Sequence, residues 1–117
     1  LKAMCDGRLA GVFIARAKNL GDENLGYDLK FDEEQRKQSA HMEIAMVRKE
    51  YRGQGLQRKM MEESEQILKE QGYHYLLGTA HPDNVASVNT LLKLQYEQVM
   101  TKEKYGGMKR SIFCKEI

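Results

Sequence analysis

A mixed α/β sheet with helices packed on it is the fold class this sequence predicts, and three observations predict it. Residues 40–47 alternate between two faces, the apolar residues of 56–68 recur at helical spacing, and 73–79 read as a short buried strand. A strand–helix–strand unit of this length requires a right-handed crossover, which makes its two strands parallel. Strands and helices alternating around that unit place helices on one sheet. Ligands of open α/β sheets bind beyond the carboxyl ends of such strands, which points to the turn after Val47.

The elements follow in order. Cys5-Asp6-Gly7-Arg8 carries an Asp-Gly pair, the strongest short hairpin signal, and 9–17 behind it are apolar enough for a strand. Residues 18–39 are polar, with Gly21, Gly26 and a charged cluster at 32–37, and read as a long connection with room for one helical turn. In 40–47, Met42, Ile44 and Met46 fall on one face and His41, Glu43, Ala45 and Val47 on the other. A turn spans 48–55. From Leu56 the apolar positions Leu56, Met60, Met61, Ile67 and Leu68 share a helical face, Glu65 and Lys69 stand four apart as a favourable pair, and Gly72 supplies a stop. After the strand 73–79, His81-Pro82-Asp83-Asn84 breaks the chain and can cap a second helix, 85–94. Residues 96–102 and 108–115 read as strands turning at Tyr105-Gly106-Gly107. At 117 residues without internal repeats, 1–117 is one domain.

Composition narrows the function classes. A formal net charge of +2, with no basic blocks, argues against nucleic-acid binding. No apolar run approaches the roughly 20 residues of a membrane helix. The two cysteines, Cys5 and Cys114, sit at opposite ends without the spacing of a metal site, and read as reduced thiols of a cytoplasmic protein, with a long-range disulfide the alternative.

The chemistry concentrates in Glu50-Tyr51-Arg52-Gly53-Gln54-Gly55-Leu56-Gln57, between a strand and a long helix. Two glycines let the backbone curl so that successive N–H groups point inward, with no Cβ to hold an anion away. The starting helix adds its unsatisfied N–H groups and positive dipole end, and Arg52 can add charge-assisted hydrogen bonds, so the turn suits a pyrophosphate. There is no Gly-Lys-Ser/Thr for a nucleoside triphosphate, and the third glycine of a dinucleotide fingerprint is absent.

The segment from Val47 to Leu56 resembles the signature of the GNAT N-acetyltransferases: Arg or Gln, two residues, Gly, one residue, then Gly or Ala, preceded by a strand Val. Arg52 and Gly55 match it, while Gln57 stands where Gly or Ala is usual. His81-Pro82-Asp83-Asn84-Val85-Ala86-Ser87-Val88-Asn89, followed by Leu94-Gln95-Tyr96, is similar to the second family segment, and Tyr105-Gly106-Gly107-Met108-Lys109-Arg110 resembles the closing hairpin of many bacterial members. The resemblance implies transfer of an acetyl group from acetyl-CoA to a primary amine, on a small molecule or a protein, with no metal. It implies that pantetheine pairs with Met46, Val47 and Arg48. The pyrophosphate would be taken by Arg52, Gly53, Gln54, Gly55, Leu56 and Gln57, with Asn84 and Ser87 beside the pantetheine arm.

The expected catalytic residues are His41, which falls where histone-acetylating members place a glutamate base, and Glu43, two residues nearer the cofactor. Where members often carry a Tyr as general acid, this chain has Leu91. A non-catalytic acyl-CoA-binding module is the alternative, which that departure favours. Family members usually begin with a strand and helices that wall the acceptor pocket. By that comparison the opening portion is expected to be absent, leaving 1–5 as an exposed edge able to drive homodimerisation.

Overall fold

The computed structural model describes residues 2–5, 7–17, 21, 24–104 and 106–117. Leu1, Asp6 of the first expected turn, five residues of the long connection (18–20, 22 and 23) and Tyr105 lie outside the described residues, as do the side chains of Cys5, Ile44 and Lys104. The described chain runs β1 (Lys2–Cys5), β2 (Arg8–Arg16), a 3-10 turn (Leu25–Tyr27), α1 (Glu33–Lys37), β3 (Ser39–Val47), a second 3-10 turn (Lys49–Tyr51), α2 (Leu56–Glu70), β4 (Tyr75–Ala80), α3 (Val85–Lys93), β5 (Glu97–Lys104) and β6 (Met108–Glu116). Six strands form one mixed sheet in the order β1-β2-β3-β4-β6-β5, in which β3 and β4 are the parallel pair.

Neighbouring residues of β4 and β6 face opposite ways and so build a core on each side of the sheet. Leu76 and Phe113 join Met42, Met60, Met61, Leu68, Leu91 and Tyr96 beneath α2 and α3. Leu77 and Ile112 join Leu25 on the other face, with Leu29 and Phe31 of the long connection packed against them. Leu76, Leu77, Ile112 and Phe113 are fully buried, worth roughly 2 kcal/mol each. The connection holds its place by a capping box: Asp32 Oδ1 accepts from the Gln35 amide at 2.8 Å, and Gln35 Oε1 from the Asp32 amide at 3.0 Å.

Three expectations are corrected. The strict alternation of 40–47 fails because β3 bulges: Ile14 pairs with Ile44 but Ala15 with Met42, leaving Glu43 as the extra residue. Downstream of the bulge the faces exchange. Ala45 and Val47 therefore pack into the same core as Ala40 and Met42, while Met46 is exposed. In α2 the buried face is Met60, Met61, Ser64, Glu65 and Leu68; Ile67 lies roughly a quarter-turn off its centre and is half exposed. Glu65 turns inward rather than to Lys69. Its Oε2 accepts from the Tyr96 hydroxyl at 3.0 Å and its Oε1 from Lys115 Nζ at 2.6 Å.

Candidate functional site

The parallel pairing of β3 and β4 is short. It ends at His41↔Leu77, after Ser39↔Tyr75 and Ala40↔Leu76, and the strands then run on to Val47 and Ala80 without partnering each other. The bulge at Glu43 lies just past that point, and a bulge bends its strand and increases local twist. The result is an opening in the sheet, walled by β3 and β4 and leading towards the first turn of α2.

That turn has features an anion site requires. Gly53 and Gly55 take φ of 80° and 74°, the left-handed region that glycine enters without strain, and a Cβ at either would meet only open space. Gly55 is the N-cap of the 15-residue α2. It supplies no side-chain cap, and the first turn carries no acidic residue. The leading N–H groups of α2 thus lack the side-chain acceptor that usually satisfies them, at the end where the helix dipole is positive. Arg52 folds back so that its Nε donates to the Val47 carbonyl at 3.1 Å, and Arg48 Nε donates to the Leu9 carbonyl, tying both arginine stems to the strand ends beside the turn.

An open groove of ≈ 1180 Å³ runs along this edge. It gathers Met46, Val47, Arg48, Arg52, Gly53, Gly55, Leu56 and Gln57 with Asn84 and Ser87 from the start of α3. Gln54 is exposed in the same turn but does not line the groove. Asn84 is also the N-cap of α3, its side chain accepting from the Ser87 amide at 3.3 Å. Sequence reasoning missed Gly11 of β2, where a Cβ would stand 2.9 Å from the Met46 carbonyl oxygen and 3.1 Å from Met60 Cε. An isolated glycine in an apolar strand is the signal for such close approach.

Two smaller cavities, ≈ 270 Å³ and ≈ 250 Å³, lie at the parting of the strands and share Met42, Glu43, Thr79 and Arg110. The first also shares Ala45, Gln57, Asn84 and Ser87 with the groove, so the three spaces form a series. His41 and Glu43 belong to its far end. His41 is buried, and its Nε2 accepts from the Leu25 amide at 3.0 Å, which assigns the proton of the neutral ring to Nδ1. Nδ1 stands 4.0 Å from Glu43 Oε1, and the same oxygen pairs with Arg16 Nε at 3.0 Å. Leu91, buried, lines the ≈ 270 Å³ cavity. In the sequence Arg110 is only the last residue of the closing hairpin segment, which does not mark it for the site. It reaches the cavities because β6 inserts between β4 and β5. No group of three metal-ligating side chains gathers among the described residues, nor is any described helix long and apolar enough to cross a membrane.

Against known proteins, no curated protein matches the chain by sequence. Among solved structures it is similar to the ribosomal-protein-S18-alanine N-acetyltransferase of Escherichia coli, with a TM-score of 0.74 at 17% identity over 99% of this chain and 66% of that one. The ribosomal-protein-alanine N-acetyltransferase of Brucella melitensis gives 0.76 at 17% identity, covering 99% and 67%. The IAA acetyltransferase of Bacillus cereus gives 0.75 at 12% identity, covering 99% and 75%. The chain thus spans about two thirds of the length of the first two, and likeness at such identity speaks for the fold alone. The profile of the Acetyltransferase (GNAT) family, however, matches residues 3–96, and by that match the chain belongs to the GNAT acetyltransferases.

Proposed function

We propose that this chain moves an acetyl group from acetyl-CoA to a primary amine by direct attack within a ternary complex, in the cytoplasm. The observation that carries the reading is the continuity between the uncapped glycine turn of α2 and the gap between β3 and β4. A pyrophosphate fits the turn, since donors are present, competing side-chain caps are absent and space lies outside both glycines. Gly53, Gln54, Gly55, Leu56 and Gln57 would hold it through main-chain N–H groups, with Arg52 adding charge. The edge of β3 at Met46, Val47 and Arg48 would hold the pantetheine arm as a strand holds an added strand, with Asn84 and Ser87 on the other side.

The bound donor supplies an acetyl thioester. Glu43, in the cavity next to the groove, holds the acceptor's amine and takes its proton, directly or through one water. As the nitrogen–carbon bond forms and the carbon–sulfur bond breaks, CoA leaves as thiolate. Thiolate is a weak enough base, near pKa 8.5, to depart without the tyrosine that Leu91 replaces. His41 acts here as a positioning residue. Its acceptor nitrogen is engaged by Leu25, and its N–H side faces Glu43. Arg16, paired with Glu43 Oε1 at 3.0 Å, aims the carboxylate.

Two measurements test the reading. Gly55→Asn keeps a residue that tolerates the left-handed backbone but places a side chain where the anion would lie. Acetyl-CoA affinity is expected to fall by about 10-fold or more, roughly 1.4 kcal/mol, with little change in Tm. Unchanged affinity removes the cradle. Thiol release is then followed with acetyl-CoA over a broad amine panel. Tight binding with no release for any amine favours the non-catalytic acyl-CoA-binding module, the reading to which Leu91 lends weight.

A further inference from the structure

The two charged side chains shared by the inner cavities are not balanced alike. Glu43 has Arg16 at 3.0 Å. Arg110, half-buried on β6, directs its guanidinium at the end of β4: Nε donates to Thr79 Oγ1 at 3.3 Å, while Nη2 donates to the same oxygen at 3.0 Å and to the Thr79 carbonyl at 3.3 Å. These bonds fix the plane of the group. They involve neutral acceptors only, and they leave Nη1 with no partner among the described residues. Nor does any carboxylate among those residues lie within 4.0 Å of Arg110. A cation taken partly out of water without a counter-ion is unfavourable, and a guanidinium held by one edge offers the rest of its donors to a planar anion.

The surroundings restrict that anion. The two cavities measure ≈ 270 Å³ and ≈ 250 Å³, room for a small molecule beside the groove. They hold one carboxylate from β3 and one guanidinium from β6, with β4 between. A molecule with an amine at one end and a carboxylate at the other meets both. We propose that Arg110 binds a carboxylate carried by the acceptor itself, so that the acceptors are small amino acids, with the amine against Glu43. This rests on the acetyltransferase reading and names the substrate class of the same site.

Matched L-amino acids and their carboxamides test it, with acetyl-CoA and thiol release as the readout. The acid of each pair is expected to exceed its amide in kcat/KM by about 10-fold or more, because the amide leaves Arg110 without an anion. Arg110→Gln is expected to erase the preference while acetyl-CoA affinity holds. The acid–amide comparison in the unaltered chain stands without any variant, should Arg110→Gln not fold. Equal rates for acid and amide, or a preference that survives Arg110→Gln, overturn the proposal. So does a preference for peptides with an acidic second residue over every free amino acid. If no amine releases thiol, calorimetry of the same pairs with CoA present decides: tighter binding of the acid keeps the carboxylate site while acetyl transfer fails, and equal or absent binding of both removes it.

Discussion

At the scale of residues, the structure places Glu43 and His41 differently, a distinction their sequence spacing does not carry. Glu43 is the bulged residue of β3 and reaches the cavities, whereas His41 is buried with Nε2 committed to the Leu25 amide. Glu43→Gln should therefore lower kcat/KM by about 10²-fold, with acetyl-CoA affinity unchanged. His41→Gln should cost less, since its Nε2 is committed to the Leu25 amide and only its Nδ1 side faces Glu43. If His41→Gln instead costs more than Glu43→Gln, the roles are reversed. The conformation of the glycine turn was legible because it is local: the left-handed Gly53 and Gly55 before α2 follow from composition and spacing that a linear reading contains. Arg110 was not legible. Its meaning depends on which strand β6 pairs with, a contact with Thr79 across 31 positions.

Among elements, the bulge and the buried end of α2 show where periodicity stops informing. Strand and helix identities follow from periods of 2 and 3.6: the strand expected over 40–47 and the helices expected from Leu56 and over 85–94 appear at 39–47, 56–70 and 85–93. The period carries no signal for one extra residue, since the bulge at Glu43 reflects a mismatch between β2 and β3 rather than anything in β3 alone. Glu65 is a similar case, because its partners Tyr96 and Lys115 lie 31 and 50 positions away. Removing it leaves a tyrosine hydroxyl and a lysine without their shared carboxylate. Glu65→Ala should cost about 2–4 kcal/mol in urea unfolding. Lys69→Ala, on the exposed side, should cost below about 0.5 kcal/mol. Equal losses in the two variants would contradict the placement of Glu65. Gly11 sets a further constraint between elements. Gly11→Val should destabilise by about 1–3 kcal/mol, read by the same denaturation, because even its Cβ meets the Met46 carbonyl and Met60.

For the molecule as a whole, pH links the far end of the sheet to stability. Burial first, then the neighbouring Glu116 and Glu97 carboxylates, push the Cys114 thiol up to about 11. Burial, and then Glu65, likewise raise the Tyr96 phenol well above its ordinary value. Both groups stay protonated in the fold while the unfolded chain ionises first. The stability they contribute is present below the unfolded thiol's pH of about 9 and declines as pH rises through 11, with Tyr96 adding to the loss above its ordinary 10. Cys114→Ala should flatten the fall in unfolding free energy between pH 9 and 11; an unchanged slope would exclude the thiol as its source. The central claim is that main-chain donors at the start of α2 and along the β3 edge receive the donor substrate. Backbone amide NMR during an acetyl-CoA titration tests it most directly. The largest shifts are expected at Gly53, Gln54, Gly55, Leu56 and Gln57 and along Met46, Val47 and Arg48, with β1 and β5 still. Saturable shifts confined to another surface, with the amides of this turn unmoved, would contradict it.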